Sequence, residues 1–208
     1  MNGAAFLRNI GWRLSPMLRR FPRLNAAAWN AQYKLGIWNY LDTSDGAILS
    51  LVEEYSSKAL ILDLGCGTTA GLPLVPGRFK HYHGVDVSHV AIKEAQTLSR
   101  PDTSFEIADI FTYQPDRQYD AILFREVLYY FSTDEAVQLL RRLAKYLETD
   151  GNIFVQVWRD GTPPDSTPNQ FAEVIRNSGL ALKAERVRGN SDGLFFVLGR
   201  PKETECLN

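Results

Sequence analysis

The run Leu60-Ile-Leu-Asp-Leu-Gly-Cys-Gly-Thr-Thr-Ala-Gly-Leu72 constrains the chain more than any other stretch. Leu60, Ile61, Leu62 and Leu64 are apolar, and only Asp63 interrupts them. That pattern suits a strand buried on both faces of a sheet. The glycines behind it let the backbone turn sharply and pass close to a ligand. Gly65-Cys-Gly-Thr-Thr-Ala70 fits the spacing G-x-G-x-x-G/A, and no Lys-Ser/Thr pair follows, which excludes a P-loop.

Strand and helix signals alternate from there on. Residues 59–64, 82–86, 103–107, 119–124 and 152–158 read as strands. Ser88 caps a helix over 88–99, and Ser132-Thr-Asp-Glu135 is a capping box opening a helix to about 148, where Asp150-Gly151 ends it. Upstream, Ser44 or Asp45 can cap a helix whose face is Ile48, Val52 and Tyr55. Three prolines mark 161–168 as a loop, and a helix runs from there to Ser178. Strands 180–187 and 194–199 lie so close in sequence that they pair antiparallel. The pattern predicts an α/β chain: a doubly wound, mainly parallel seven-stranded sheet with its last strand antiparallel. Ligands of such sheets bind beyond the carboxyl ends of the strands.

At 208 residues the chain holds one well-buried core. Cys66 lies in the glycine turn and Cys206 in the tail, so no disulfide is expected, which fits a reducing, cytoplasmic setting. No metal-type Cys/His spacing occurs, and no apolar run approaches a membrane span. The net charge of −1 gives no overall pull toward nucleic acid. Charge is uneven, however. Residues 1–41 carry Arg8, Arg13, Arg19, Arg20, Arg23 and Lys34 and no acid. Phe6, Ile10, Leu14, Met17, Leu18 and Phe21 recur there at helical spacing, with Ser15 and Pro16 starting a second short helix. Segment 1–43 is therefore a basic and aromatic helical element: a packed helix, a lid, a targeting peptide, or a surface that touches a membrane through residues 1–24. Arginines interrupt its apolar stretches, unlike a secretory signal. The main domain spans 44–202, and 203–208 form a tail.

Asp86 ends the second strand, where a carboxylate accepts hydrogen bonds from ribose hydroxyls. With the glycine turn it points to an adenosine-containing ligand. Asp63, at the end of the first strand, would repel a diphosphate and attract a sulfonium with an α-ammonium. Ala108-Asp-Ile110 follows the third strand, where a carboxylate can accept from the adenine amine.

These residues together resemble the class I S-adenosylmethionine-dependent methyltransferases. The matching runs are Leu62-Asp-Leu-Gly-Cys-Gly67, Gly84-Val-Asp-Val-Ser88, Ala108-Asp-Ile110 and Tyr119-Asp-Ala-Ile-Leu-Phe-Arg-Glu-Val-Leu-Tyr-Tyr130, over roughly residues 45–200. One position departs: Thr69 stands where the family usually has a third glycine. The resemblance implies a Rossmann-like methyltransferase fold with S-adenosylmethionine as cofactor. It implies that Gly65, Cys66 and Gly67 pass the methionine moiety, Asp63 orients it and Arg125 sits beside it. Asp86 would bind the ribose, with Val87 against the adenine, and Asp109 and Ile110 would hold the adenine.

The acceptor site is expected at the same rim. Glu126 is the first candidate, as general base or amine binder, with Tyr129 and Tyr130 as walls or hydrogen-bond donors. Arg159 and Asp160 face that rim too. His81 and His83 read as packing or edge residues. Tyr33 and Trp38 of the aromatic segment are candidates for cofactor contact, an aromatic face suiting a sulfonium. No Asn-Pro-Pro-Tyr/Phe signature is present, and Glu126-Val-Leu-Tyr-Tyr130 is similar to a run in the nodulation-factor N-methyltransferases. The sequence thus predicts methyl transfer to O or N of a small molecule, not nucleic acid. The alternatives are a nicotinamide oxidoreductase, which lacks support from any Tyr-x-x-x-Lys pair, and a non-catalytic cofactor-binding or membrane-associated scaffold.

Overall fold

The computed structural model describes residues 18, 20–38, 46–98, 100–158, 168–187 and 193–201. Strands β1 (Leu60–Leu64), β2 (His81–Asp86), β3 (Thr103–Ile107), β4 (Tyr119–Arg125), β5 (Leu147–Trp158), β6 (Ala181–Val187) and β7 (Gly193–Gly199) form one sheet. Its order is β3-β2-β1-β4-β5-β7-β6. The first five run parallel, and β7 is antiparallel to both β5 and β6. The order reverses between β1 and β4, so the glycine turn sits at the switch point where ligand crevices open.

Five α-helices are described: α1 (Pro22–Lys34), α2 (Ala47–Tyr55), α3 (His89–Thr97), α4 (Thr133–Leu143) and α5 (Pro168–Arg176). Strand pleating sends alternate side chains to opposite faces. In β4, Ile122 and Phe124 join the layer under α4 and α5, while Ala121 and Leu123 join the layer under α2. This two-sided burial is why the strands read as continuous apolar runs. The capping box on α4 forms as expected, Ser132 Oγ accepting from Glu135 N and the Glu135 carboxylate accepting from Ser132 N.

The strand–helix alternation is incomplete. Residues 65–80 and 108–118 cross without a helix. Pro73 and Pro76 lack the N–H that a helix interior would need. The first crossing is instead pinned by buried Leu72, Leu74 and Phe79. The second is held by Arg142 of α4, which donates to Ile110 O at 2.9 Å, to Phe111 O at 3.0 Å and to Tyr113 O.

The expected helix to about 148 is shorter. It ends at Leu143, a 3₁₀ turn covers Ala144–Tyr146, and Leu147 already pairs with Tyr119. Gly151 is therefore within β5 rather than a helix stop. A Cβ there would meet Tyr119 O at 2.7 Å, so the register shift between Tyr119 and Ala121 requires glycine. Gly46, at φ +74°, precedes α2; Ser44 and Asp45 lie outside the described residues. So do the helices expected before residue 18, Arg159 and Asp160, and Cys206.

Candidate cofactor and acceptor site

The carboxyl ends of β1, β2 and β4 converge under α1. Gly65 and Gly67 have φ of +76° and +60°, which L side chains rarely adopt. A Cβ on Gly65 would meet Val127 Cγ2 at 2.3 Å, so the turn lies flat against the segment after β4. Cys66 is buried, its Sγ packed over β2 where a Cβ on Gly84 would come within 2.8 Å of it. Burial and the nearby Asp86 and Asp63 push its thiol well above the ordinary range, so it serves as filler rather than nucleophile. Thr69 stands at φ +53°, a conformation normally left to glycine. Arg100 holds it there, Nη1 donating to Thr69 O at 2.9 Å and to Oγ1 at 3.3 Å. The third-glycine position thus keeps a glycine-like backbone with a threonine in it.

Asp63 is fully buried and has two neighbours of consequence, Arg125 and Tyr82. Arg125 Nε donates to its Oδ2 at 2.8 Å, Tyr82 Oη donates to the same oxygen, and Arg125 Nη2 donates to Cys66 O at 3.0 Å. Desolvation would lower the Arg125 pKa, but the Asp63 charge overcomes it and leaves the guanidinium above its usual value. Arg125 therefore cancels much of the repulsion that Asp63 would offer a diphosphate, an offset invisible in the strand ends taken singly.

Asp86 is different. Its Oδ2 accepts from Gly67 N at 3.0 Å and its Oδ1 from Ser88 N at 2.8 Å. Burial raises its pKa to about 6, against the lowering effect of those two N–H donors. Each oxygen keeps a lone-pair direction for a further donor. Val87 follows, half-buried. Asp109 and Ile110 are half-buried past β3; Asp109 Oδ1 accepts from Phe111 N at 2.9 Å, closing a turn, so this carboxylate also shapes its own loop.

Helix α1 roofs this floor. Asn30 Oδ1 accepts from Ser88 Oγ at 2.8 Å and Val90 N at 3.3 Å, tying α1 to the start of α3. Tyr33 Oη lies 3.0 Å from where a Cβ on Gly67 would sit. Burial and Asp86 push the Tyr33 phenol well above its ordinary range, so it stays a donor. Trp29 links the roof together: its ring stands 5.6 Å from Trp38 and 4.8 Å, edge-on, from Tyr130. Glu126 follows β4 at φ +57°, a strained position for a non-glycine residue. Its backbone N donates to Gln156 O at 3.1 Å, and Tyr129 Oη donates to its carboxylate.

Tyr33, Asp63, Gly65, Cys66, Gly67, Asp86 and Arg125 are thus brought together, with Glu126, Tyr129 and Tyr130 on the β4 side. Asn30, Trp29, Tyr82 and Arg100 were missed by sequence reasoning. Tyr82 alternates like any core residue, and Arg100 has no local signal at all. His81 and His83 lie away from this rim, both bonded to Ser104 Oγ, at 2.7 and 2.8 Å.

The residues fit an adenosyl amino acid. Among the described residues, Asp63 Oδ1 and Trp38 Nε1 are buried polar atoms without a hydrogen-bond partner. One is an acceptor suited to an ammonium, the other a donor suited to a carboxylate. The flat glycine turn and the half-satisfied Asp86 carboxylate complete the donor and acceptor set.

Comparison with known proteins agrees. Residues 61–151 match the family described as "Methyltransferase domain". The chain is 27% identical over 142 residues to caffeic acid 3-O-methyltransferase of Zinnia elegans, covering 67% of this chain and 39% of that protein. It is 28% identical over 167 residues to the tRNA (carboxymethyluridine(34)-5-O)-methyltransferase of Arabidopsis thaliana, covering 76% and 39%. It thus spans about two fifths of the length of these relatives. Among solved structures, the N-methyltransferase NodS of Bradyrhizobium japonicum, in complex with S-adenosyl-l-homocysteine, superposes with a TM-score of 0.61 at 22% identity over 75% of this chain and 85% of that one. Residues 61–151 thus match a methyltransferase domain, and the strand order, the switch-point glycine turn and the superposition on NodS support the class I S-adenosylmethionine-dependent methyltransferase fold for this chain.

Proposed function

We propose that this chain transfers a methyl group from S-adenosylmethionine to an oxygen or nitrogen of a small molecule. The observation that carries the reading is the placement of Glu126. A carboxylate on a left-handed residue, steadied by Tyr129, follows β4 directly, at the same end of the sheet as the glycine turn after β1 and Asp86 at the end of β2.

Asp86 would take the ribose hydroxyls on its two remaining acceptor directions. Gly65 and Gly67 would let backbone lie against the methionine part, and Asp63 Oδ1 and Trp38 Nε1 would meet its ammonium and carboxylate. Tyr33 would cover it. When bound, the cofactor supplies an electrophilic methyl on a sulfonium. Glu126 would hold the acceptor's O–H or N–H and take the proton it loses, a role general bases perform to about 10²–10⁴-fold effect. Tyr129 keeps that carboxylate aimed. Tyr130 and Trp29 form an edge-to-face wall that suits a planar or cationic acceptor.

The relatives named above act on a phenolic acid and on a tRNA nucleoside, and the third is an N-methyltransferase. The lack of an Asn-Pro-Pro-Tyr/Phe run and the aromatic wall of Trp29 and Tyr130 favour the small acceptor. The test is calorimetry with S-adenosylhomocysteine, S-adenosylmethionine and NADH, then an acceptor screen of phenols, amines, amino sugars and bulk tRNA. Binding of the two sulfur nucleosides without NADH is expected, with turnover on a small acceptor reduced at least about a hundredfold in Glu126→Gln. Binding of NADH alone would overturn the cofactor, unchanged Glu126→Gln turnover would overturn the base, and tRNA as sole acceptor would overturn the substrate class.

A further inference from the structure

Helix α1 carries apolar side chains on its outward face as well as aromatic ones on the face packed against its domain. At 100° per residue, Asn25, Trp29 and Tyr33 share its inner face, and Asn25 is only 5% exposed. Leu24, Ala27, Ala31 and Leu35 fall on the opposite face, all exposed, Leu24 at 55% and Leu35 at 67%. Phe21, at the helix entrance, is 56% exposed. Isolated exposed leucines are ordinary, but here one helix lines up Leu24, Ala27, Ala31 and Leu35 toward solvent while Asn25 is buried on its other side. Packing on this domain uses Asn25, Trp29, Asn30 and Tyr33 and leaves Leu24 and Leu35 without an intramolecular role.

Charge identifies what the stripe faces. Arg20, Arg23 and Lys34 flank it, all exposed, and the chain has no acid before Asp42. Among the described residues no helix is long and apolar enough to cross a membrane, so the element lies on a surface rather than spanning one. We infer that the outward face of α1 docks on an anionic lipid surface, Leu24, Leu35 and Phe21 entering the headgroup boundary and Arg20, Arg23 and Lys34 meeting lipid phosphates. Apolar burial plus basic residues is the combination such interfacial helices use. A second copy of the chain is disfavoured because two like-charged stripes would meet. Nucleic acid would use the cations and leave the leucines without purpose. Because the inner face of the same helix carries Asn30 and Tyr33 over the glycine turn, docking would place the cofactor site directly beneath the lipid surface, open to an amphiphilic acceptor.

The test is co-sedimentation of the full-length protein with phosphatidylcholine vesicles, with and without phosphatidylglycerol. The expected result is pelleting only with the anionic vesicles, weakened by salt. Leu24→Glu/Leu35→Glu should reduce binding at least about tenfold, while calorimetric S-adenosylhomocysteine affinity and far-UV circular dichroism stay as in the wild type. Equal pelleting of wild type and that variant, or none with anionic vesicles, overturns the inference. Oligonucleotide binding lost in Arg23→Ala/Lys34→Ala but kept in Leu24→Glu/Leu35→Glu would assign the face to nucleic acid. A dimer that the leucine variant dissolves would assign it to self-association. If the leucine variant misfolds, the lipid preference and salt response of the wild type alone decide. Cofactor binding is read separately, so failure here leaves the methyltransferase reading standing.

Discussion

Asp63 and Asp86 end neighbouring parallel strands, both buried, and the fold treats them in opposite ways. Asp63 receives a full counter-charge from Arg125 and a second donor from Tyr82. Asp86 receives two backbone N–H groups, and burial holds its pKa at about 6. The matched charge is mostly scaffold: through Arg125 it ties β4 to Cys66 O and leaves only Oδ1 of Asp63 for a ligand. A buried charge solvated only by backbone is held ready for a ligand, because it gains most from further donors. The carboxylate that sequence reasoning weighted for electrostatic discrimination, Asp63, is the one whose field is mostly cancelled.

The sharpest way to break this comparison is to remove one member of the matched pair. Arg125→Ala would leave Asp63 buried without a cation and Cys66 O without its donor. Loss of one partner from a buried pair costs roughly 3–5 kcal/mol. Denaturant unfolding should therefore show a collapse in stability, with Asp63→Asn/Arg125→Met recovering much of it. A stable Arg125→Ala protein that merely loses cofactor affinity would make Arg125 a ligand contact instead of a scaffold.

Asp86→Asn should behave in the reverse way. Removing the buried charge gains on the order of 3 kcal/mol above pH 6. The amide, however, offers one acceptor where two backbone N–H groups need one, which costs about 1–3 kcal/mol. The two nearly cancel, so thermal stability changes little. Cofactor affinity has no such compensation. Hydrogen bonds to a charged acceptor are worth about 1.5–3 kcal/mol, so calorimetry should show a loss of roughly ten- to a hundredfold. Wild-type affinity in this variant would mean that the ribose is held elsewhere.

The same contrast separates what the sequence made legible from what it hid. Two-sided burial writes itself as apolar runs, so the strands and their parallel order could be read, as could the Ser132–Glu135 capping box and the Ser88 cap. The turn and Asp86 were legible because backbone approach demands glycine at fixed spacing. The Asp63–Arg125 pair was not, because it joins residues 62 positions apart in sequence. Thr69 looked like a departure, yet its left-handed backbone is imposed from outside by Arg100. The crossings 65–80 and 108–118 carried prolines, but their anchors, Phe79 and Arg142, act across the sheet and leave no local periodicity. Likewise α1 was readable as basic and aromatic, while which face turned inward depended on Asn30 finding Ser88.

A smaller effect tests Asp86 against a second titrating group on its own strand. His83 is half-buried, bonded through Nδ1 to Ser104 Oγ at 2.8 Å, with Glu106 Oε2 3.4 Å from its Nε2. His81 lies beside it, Tyr113 packs on its ring, and Asp116 faces it from the β3–β4 crossing. Desolvation lowers its pKa below 6.5, against the raising effect of Glu106. The unfolded chain therefore takes up this proton first, and His83 contributes stability above about pH 6.5 that is lost as pH falls. Asp86 runs the other way. Its folded pKa of about 6 exceeds the ordinary 3.8, so its contribution is complete below about pH 4 and lost as pH rises through 6. In the window between, the two oppose each other. Asp86→Asn should steepen the rise of stability with pH relative to wild type, and His83→Gln should flatten or invert it, each by up to about 1 kcal/mol per pH unit. Chemical denaturation at four pH values from 4 to 7 reads both. Superposed curves for Asp86→Asn and wild type would mean that Asp86 ionises like an exposed carboxylate, and the distinction between matched and ligand-ready charge would lose its basis.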